Sequence, residues 1–390
     1  MLNRRLLRIK AMQHLYAYKQ CQKSNFQLAL DQIEAYFQPD LNSMEVQDKN
    51  LLNSQKEIAQ KIFVGSYLTP HLSQTEGAVE PKVKESIEKA LNFYQQQNKK
   101  DAERLKKEVL DSVDLLYDRY LLLLKLLVEL SDFVQVEYAE AKKKVYTKKI
   151  IFEHELKFLH NKMLMPLKKD THFKEELNKR KLKWNQELIR QWYKLLIKDE
   201  TYLAYLQLPN ADFQQDSDIV NYIFKEFILK NDVIQSYFES EDINWVENRA
   251  ILRGIVVKTL KTITEESQSV SLLELSPNWE DDRDFFKELF YYTIKHGEEH
   301  ESKIAEKVEN WDVDRITAID RVLLEMALCE MICFPSIPVK VTINEYIELS
   351  KIYSTPQSNI FINGVLDSIS QEYLKEGKIK KSARGLLDNK

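Results

Sequence analysis

Residues 4–20 read RRLLRIKAMQHLYAYKQ. Leu7, Ala11, Leu15 and Tyr18 recur at three- and four-residue spacing, which predicts an amphipathic helix over 3–20. Arg4, Arg5 and Arg8 share a face opposite that stripe. Lys10 adds to the charge, and no acidic residue occurs before Asp31. An undiluted cationic face suits phosphate contacts; the alternative is a merely solvated surface. Tyr16 and Tyr18 either stack on unpaired bases or pack in the core.

Composition extends the helical reading to the whole chain. Of 390 residues, 44% are hydrophobic, enough for one large or two moderate cores. Only 7 are Gly and 9 Pro, so turn chemistry is scarce and an all-α protein is expected. The net charge of −4 excludes a globally basic polyanion binder and leaves room only for a local basic patch. Cys21, Cys329 and Cys333 form no disulfide framework and no CxxC pair, which suits reduced thiols in the cytoplasm. The opening MLNRRLLRIK lacks the apolar core of a secretory signal. The run YLLLLKLLVEL, broken by Lys125 and Glu129, is too short to span a bilayer. No membrane association is expected.

A second helical piece, FQLALDQIEAYF, ends before Pro39. Residues 41–100 turn polar and read mainly as loops. The segment 101–145 predicts a long helix, apolar at Val109, Val113, Leu116, Tyr120, Leu123, Leu127 and Leu130. A further helix is expected from Asp170, its N-cap, through KEELNKRKLKWNQELIRQWYKLLI. Pro166, Pro209 and Pro277 mark breaks. INWVENRAILRGIVVKTLKTI and PNWEDDRDFFKELFYYTIKHG align without gaps at an offset of 34, pairing Asn244 with Asn278 and Trp245 with Trp279. Two similar helices, each capped by its Asn with Trp under the first turn, explain this better than a tetratricopeptide solenoid.

Catalytic signals are weak. HGEEH, His296–His300, matches a zinc-binding pattern, but Gly297 interrupts it, the surroundings are Glu- and Lys-rich, and no third ligand is evident. No Gly-rich phosphate loop or nucleophile elbow occurs. The expectation is a non-enzyme with no cofactor and no metal.

Three stretches in order, together with the first helix, resemble the NusB family of transcription antitermination factors. They are WDVDRITAIDRVLLEMALCEM (311–331), IPVKVTINEYIELSKIYS (337–354) and FINGVLDSI (361–369), and the resemblance covers about 1–37 and 280–370. It implies an all-α, NusB-like helical bundle in two halves, here with a large additional helical insert. The corresponding division is 1–40 for the N-terminal helices, 41–240 for the insert, 241–375 for the main domain and 376–390 for a basic flexible tail.

The resemblance also implies a function: binding boxA-type single-stranded RNA with NusE, a small-subunit ribosomal protein, in a transcription elongation complex on ribosomal RNA operons. Its RNA surface would join the first helix to the loop and helix start near Phe361. Arg4, Arg5, Arg8, Lys10 and Tyr16 lie on the first element; Gln357, Ser358, Asn359 and Phe361 lie on the second. Helix N-termini attract phosphate, the polar side chains can read base edges, and Phe361 either stacks on a base or staples the helix from beneath. Many relatives carry an acidic residue where Gln357 stands, so the RNA preference would differ. Asp320 and Arg321 match a charged pair near the NusE contact, or form an ordinary surface pair. Asn344, Glu345, Asn363 and Gly364 read as structural, the first two starting a helix over 344–353. An RNA methyltransferase accessory domain and a helical protein-interaction scaffold are the other readings. The first needs a Gly-rich cofactor domain that this chain's insert does not resemble.

Overall fold

The computed structural model describes residues 4–40, 46–68, 80–143, 156–276, 278–308, 316–382 and 385–386. The expected break at Pro277, residues 311–315 of the WDVDR stretch, and residues 41–45 and 69–79 of the stretch expected as loops lie outside them. The described residues are helical, without a strand. In chain order the helices are α1 (Arg4–Tyr36), α2 (Lys49–Leu68), α3 (Pro81–Lys143), α4 (Met165–Lys169), α5 (Thr171–Lys179), α6 (Gln186–Leu196), α7 (Glu200–Gln207) and α8 (Phe213–Tyr222). They continue with α9 (Asp232–Glu241), α10 (Trp245–Lys261), α11 (Trp279–Lys295), α12 (Gly297–Val308), α13 (Ala318–Cys333), α14 (Val339–Tyr353) and α15 (Ser358–Lys375).

Two compact units divide the chain. The terminal unit comprises Arg4–Leu110 and Asp281–Lys390; the internal unit is built on Asp111–Glu280. The span expected to be one insert, 41–240, is therefore shared between them. Its first part contributes to a small core with the end of α1: Ala29, Ile33 and Phe37 pack with Ala59 and Phe63 of α2 and with Val83, Ile87 and Ala90 of α3. Phe26 stacks on Phe63 at 5.2 Å. The apolar positions of α2 are spaced for one helical face but diluted by Gln, Ser and Asn, which is why 41–100 reads as loop.

Helix α1 runs unbroken where two pieces were expected. Nothing in CQKSNF stops a helix, and buried Asn25 donates to Asn98 Oδ1 and Asp101 Oδ2 of α3, both at 2.9 Å. The terminal unit is centred on α13, whose Leu323, Leu324, Met326, Ala327, Leu328, Cys329 and Met331 are fully buried. A helix apolar on all sides belongs in the middle of a core, and α1, α12, α14 and α15 pack around it. Helix α14 begins at Val339, five residues before the expected start, directly after Pro338 at its N-cap. The described part of the expected flexible tail is tied down: Ile379 is buried, Lys381 Nζ donates to the Phe334 carbonyl, and Ser382 N–H donates to that of Pro335.

In the internal unit the apolar stripe of α3 is as expected, with Val113, Leu116, Tyr120, Leu123, Leu127 and Leu130 inaccessible. Asp170 caps α5 by accepting from Phe173 N–H and also takes Val270 N–H. The helix expected to continue from there is two, α5 and α6, separated by a turn with Lys181 at φ 56°. The repeated segments form two 17-residue helices that both begin at their Trp. The expected Asn cap is absent from α10: Asn244 makes no side-chain capping bond, and Asp242 takes its N–H at 2.9 Å. Trp245 is buried and stacks on Phe238 at 4.2 Å, whereas Trp279 is half-buried.

Phe63 is inaccessible in the α1–α2–α3 core, so Phe63→Ala is expected to cost about 3–5 kcal/mol of stability. The urea midpoint of the full chain measures this. A loss below about 1 kcal/mol, the scale of an ordinary point substitution, would show that these helices do not depend on that core.

Candidate nucleic-acid interface

The basic residues of α1 are placed by what they hold. Arg8 is buried and grips Glu330 of α13 with two bonds of 2.8 Å, Nε to Oε2 and Nη2 to Oε1. Glu330, also inaccessible, accepts from Thr342 Oγ1 at 2.9 Å and Tyr346 OH at 3.1 Å on α14. Burial alone would pull the Arg8 guanidinium down; the charge and hydrogen bonds of Glu330 reverse this and hold it above its ordinary value. Arg5 makes a second fork, to Glu345 of α14, at 2.9 and 2.8 Å. That hydrogen bonding holds the Glu345 carboxyl below the usual range despite partial burial. Arg4 donates to Asp282 Oδ1 at 3.1 Å and lies 4.9 Å from the centre of the Phe285 ring.

The expected cationic face is therefore narrower than the helical wheel implies. Arg8 and Lys10 are buried and are not on the solvent surface. Arg4 and Arg5 remain over a third exposed while paired, and Tyr16 is exposed further along the helix. Tyr18 is buried. Lys19 reaches Glu325 of α13 at 3.0 Å and Glu301 at 3.6 Å. Burial nevertheless pushes the Glu325 carboxyl up to about 7 against the pull of Lys19.

The second element is held by hydroxyls. Thr317 and Asp320 form a capping box at the start of α13, with Asp320 N–H donating to Thr317 Oγ1 at 3.0 Å and Thr317 N–H to Asp320 Oδ2 at 3.1 Å. Ser358, the first residue of α15, donates to the same Asp320 Oδ2 at 3.0 Å. Ser354 lies 3.1 Å from Thr317 Oγ1 and 3.0 Å from Ser358 Oγ, and Thr355 lies 2.8 Å from Ser358 Oγ. Two of the expected roles change accordingly. Ser358 is buried and spends its hydroxyl on Asp320, so it does not face a base; Asp320 is buried beneath the turn, so it offers no surface to a partner. Arg321 is half-exposed, with Glu301 at 3.9 Å.

Gln357 is exposed, and Asn359 and Phe361 are half-buried. Phe361 occupies the fourth position of α15, while its neighbour Ile362 fills the core. Asn363 and Gly364, expected to serve close packing, are exposed one turn further on. Ile360, 70% exposed, lies on the same helical stripe as Gln357 and Gly364. Sequence pattern missed it, because an Ile next to Phe361 and Ile362 reads as core. Glu330 was likewise missed: within an apolar run it carries no mark of its buried charge.

The HGEEH segment spans the α11–α12 junction. The His296 and His300 rings are 6.0 Å apart, but His300 is buried, and burial followed by the charge of His296 lowers its pKa to about 4. Among the described residues, no three His, Cys, Asp or Glu side chains are grouped to hold a metal, and no helix is long and apolar enough to cross a membrane.

Residues 249–371 match the family model described as the NusB family, a match that begins within α10, earlier than the resemblance at 280. A protein named transcription antitermination protein NusB from Salinibacter ruber is 40% identical over 148 residues, 36% of this chain and 92% of the relative. Proteins of the same name from Koribacter versatilis and Chloroherpeton thalassium are 41% and 38% identical over 101 and 106 residues. Those alignments cover 26% and 27% of this chain, and 69% and 50% of the respective relatives.

Two outcomes are expected from this geometry. Arg8→Ala strands the Glu330 charge and should cost about 3–5 kcal/mol, with much of the loss recovered on adding Glu330→Gln. Urea denaturation of the three variants checks this, and additive losses would show that the pair is not coupled. His300 resists protonation in the fold until about pH 4, while the unfolded chain takes up its proton near 6.5. The unfolded state thus binds more protons in between, and stability should fall as pH drops through that window. His300→Leu should flatten this fall in pH-dependent urea midpoints; parallel profiles would assign the fall to other groups.

Proposed function

We propose that this chain, which belongs to the NusB family, is a non-enzymatic cytoplasmic antitermination factor that binds boxA-type single-stranded RNA together with NusE. On this reading it joins the transcription elongation complex and supports ribosomal RNA synthesis. The observation that carries the proposal is the α15 start: an exposed Gln357 and a half-exposed Phe361 on a turn clamped to α13 through Ser358 and Asp320. A rigid support lets an aromatic ring meet a base without a large ordering cost. Arg4, Arg5 and Tyr16 supply the second contact area, the arginines by exchanging carboxylate for phosphate. Exposed ion pairs are worth about 0–1 kcal/mol, so phosphate can compete for them. Asn359 flanks the bases, Arg321 is the residue offered to NusE, and Arg8, Lys10, Ser358 and Asp320 act from beneath as positioning residues.

Fluorescence anisotropy with a boxA-type oligonucleotide, with and without NusE, tests this. Binding that tightens when NusE is added is expected. Phe361→Ala should cost about 1–3 kcal/mol of RNA affinity with little change in melting temperature, and Phe361→Leu should not restore it. Replacing Arg4 and Arg5 by Ala should reduce the salt slope by at most about 0.7 per lost contact. Absence of binding in both conditions would overturn the reading.

A further inference from the structure

The internal unit contains one conformation that its sequence does not favour. Among the described residues Lys181 is the non-glycine residue with positive φ, at 56°. It sits at the end of α5, where Leu182 N–H donates to the Leu177 carbonyl at 2.9 Å and Lys181 N–H to that of Asn178 at 3.0 Å. This is the paired closure that ends many helices, and its left-handed position ordinarily holds Gly. The same chain makes the same closure at the end of α15, with Lys378 N–H to Tyr373 and Gly377 N–H to Leu374, and there the left-handed residue is Gly377 at 67°. At α5 a lysine takes the strained position instead, and such departures gather at functional sites.

The surroundings fix that lysine on the surface. Arg180 is held by Asp118 at 2.7 Å and Glu176 at 3.3 Å, and lies 4.7 Å from the centre of the Tyr117 ring. Trp184, buried, donates Nε1–H to the Leu122 carbonyl at 2.9 Å, and Asn185 caps α6. Alternating with these anchors, Lys179, Lys181 and Lys183 are exposed; Lys179 has a 3.8 Å pair with Glu176. Exposed Glu175 and Glu187 flank the turn on α5 and α6. No large hydrophobic side chain is exposed on α5, on α6 or on the turn between them, so these elements offer no apolar anchor of their own of the kind on which protein interfaces depend. Compact ammonium groups on a fixed turn suit phosphates.

We propose that the α5–α6 turn is a second, sequence-independent RNA-backbone contact made by Lys179, Lys181 and Lys183. The choice of RNA rests on the reading of the chain as an RNA-binding factor. The test uses the full chain and a thirty-nucleotide oligouridylate without a boxA sequence, titrated with salt. Lys181→Gly should raise the melting temperature of the internal unit by about 2–4 °C, the shift expected from relieving a left-handed side chain in a unit of this size. It should also weaken oligouridylate binding and lower the salt slope by about 0.7. Changing all three lysines to Gln should lower the slope by about 2 at unchanged melting temperature. Unchanged affinity and slope in that variant, or no binding by the parent, would overturn the proposal. Polyglutamate binding that matches oligouridylate and is lost in the same variant would also overturn it, giving the turn to an acidic protein. A parent that binds oligouridylate through this turn but shows no preference for boxA-type RNA, with or without NusE, would instead sink the function proposed above and leave this contact standing.

Discussion

The Arg8–Glu330 fork is the constraint around which the terminal unit is arranged. Two full charges removed from water cost several kcal/mol each unless the remaining valences are met. Here they are met: Glu330 accepts from two of the three guanidinium nitrogens, from Thr342 and from Tyr346. Such a pair adds little net stability over a well-packed apolar alternative, but it is directional. It admits one rotation of α1 about its axis and one register of α14 against α13. With Arg8 fixed, Arg5 one turn earlier falls on Glu345, and Arg4 falls on Asp282. What looks like a free cationic face is mostly the joinery of the fold.

A second constraint holds the turn before α15. Asp320 Oδ2 gathers the Thr317 N–H and the Ser358 hydroxyl, while Oδ1 is buried with no partner among the described residues. Asn359 Oδ1 is buried and unpartnered as well. Buried acceptors left without donors are costly; one is on Asn359 in the first turn of α15 and the other on the Asp320 that holds Ser358. The turn is thus rigid through its hydroxyl cluster and incompletely satisfied at its edge.

Helical class, the long stripe of α3, the Asp170 cap and the paired Trp helices were legible in the sequence because each depends on spacing or on one capping residue. The unbroken α1 was not, since its continuity rests on Asn25 bonding to α3, a partner more than seventy residues away. The break between α5 and α6 was hidden for the opposite reason: local chemistry opposes it, with Lys where Gly is the rule. At the candidate interface, charge type was legible but exposure was not. A helical wheel places Arg8 with Arg4 and Arg5; only the carboxylates of α13 and α14 decide which arginine is swallowed. Ser358 and Asp320 were read as surface groups because their partners are each other.

These pairings bear on how the terminal unit would discriminate among RNAs. On the proposed function, a phosphate arriving at Arg4 or Arg5 would displace Asp282 or Glu345, and the displaced carboxylate would stay nearby as a like charge. Electrostatic gain per contact is then smaller than for an unpaired cation, and indifferent attraction to any polyanion is suppressed. On the same reading more of the binding energy would come from the α15 start, where Gln357 would offer hydrogen bonds and Phe361 a ring. Interactions of that kind depend on the base presented and weaken little with salt. If the surface binds RNA as proposed, masking the arginines with acids would move it from general affinity toward selectivity, with the negative net charge of the chain acting in the same direction.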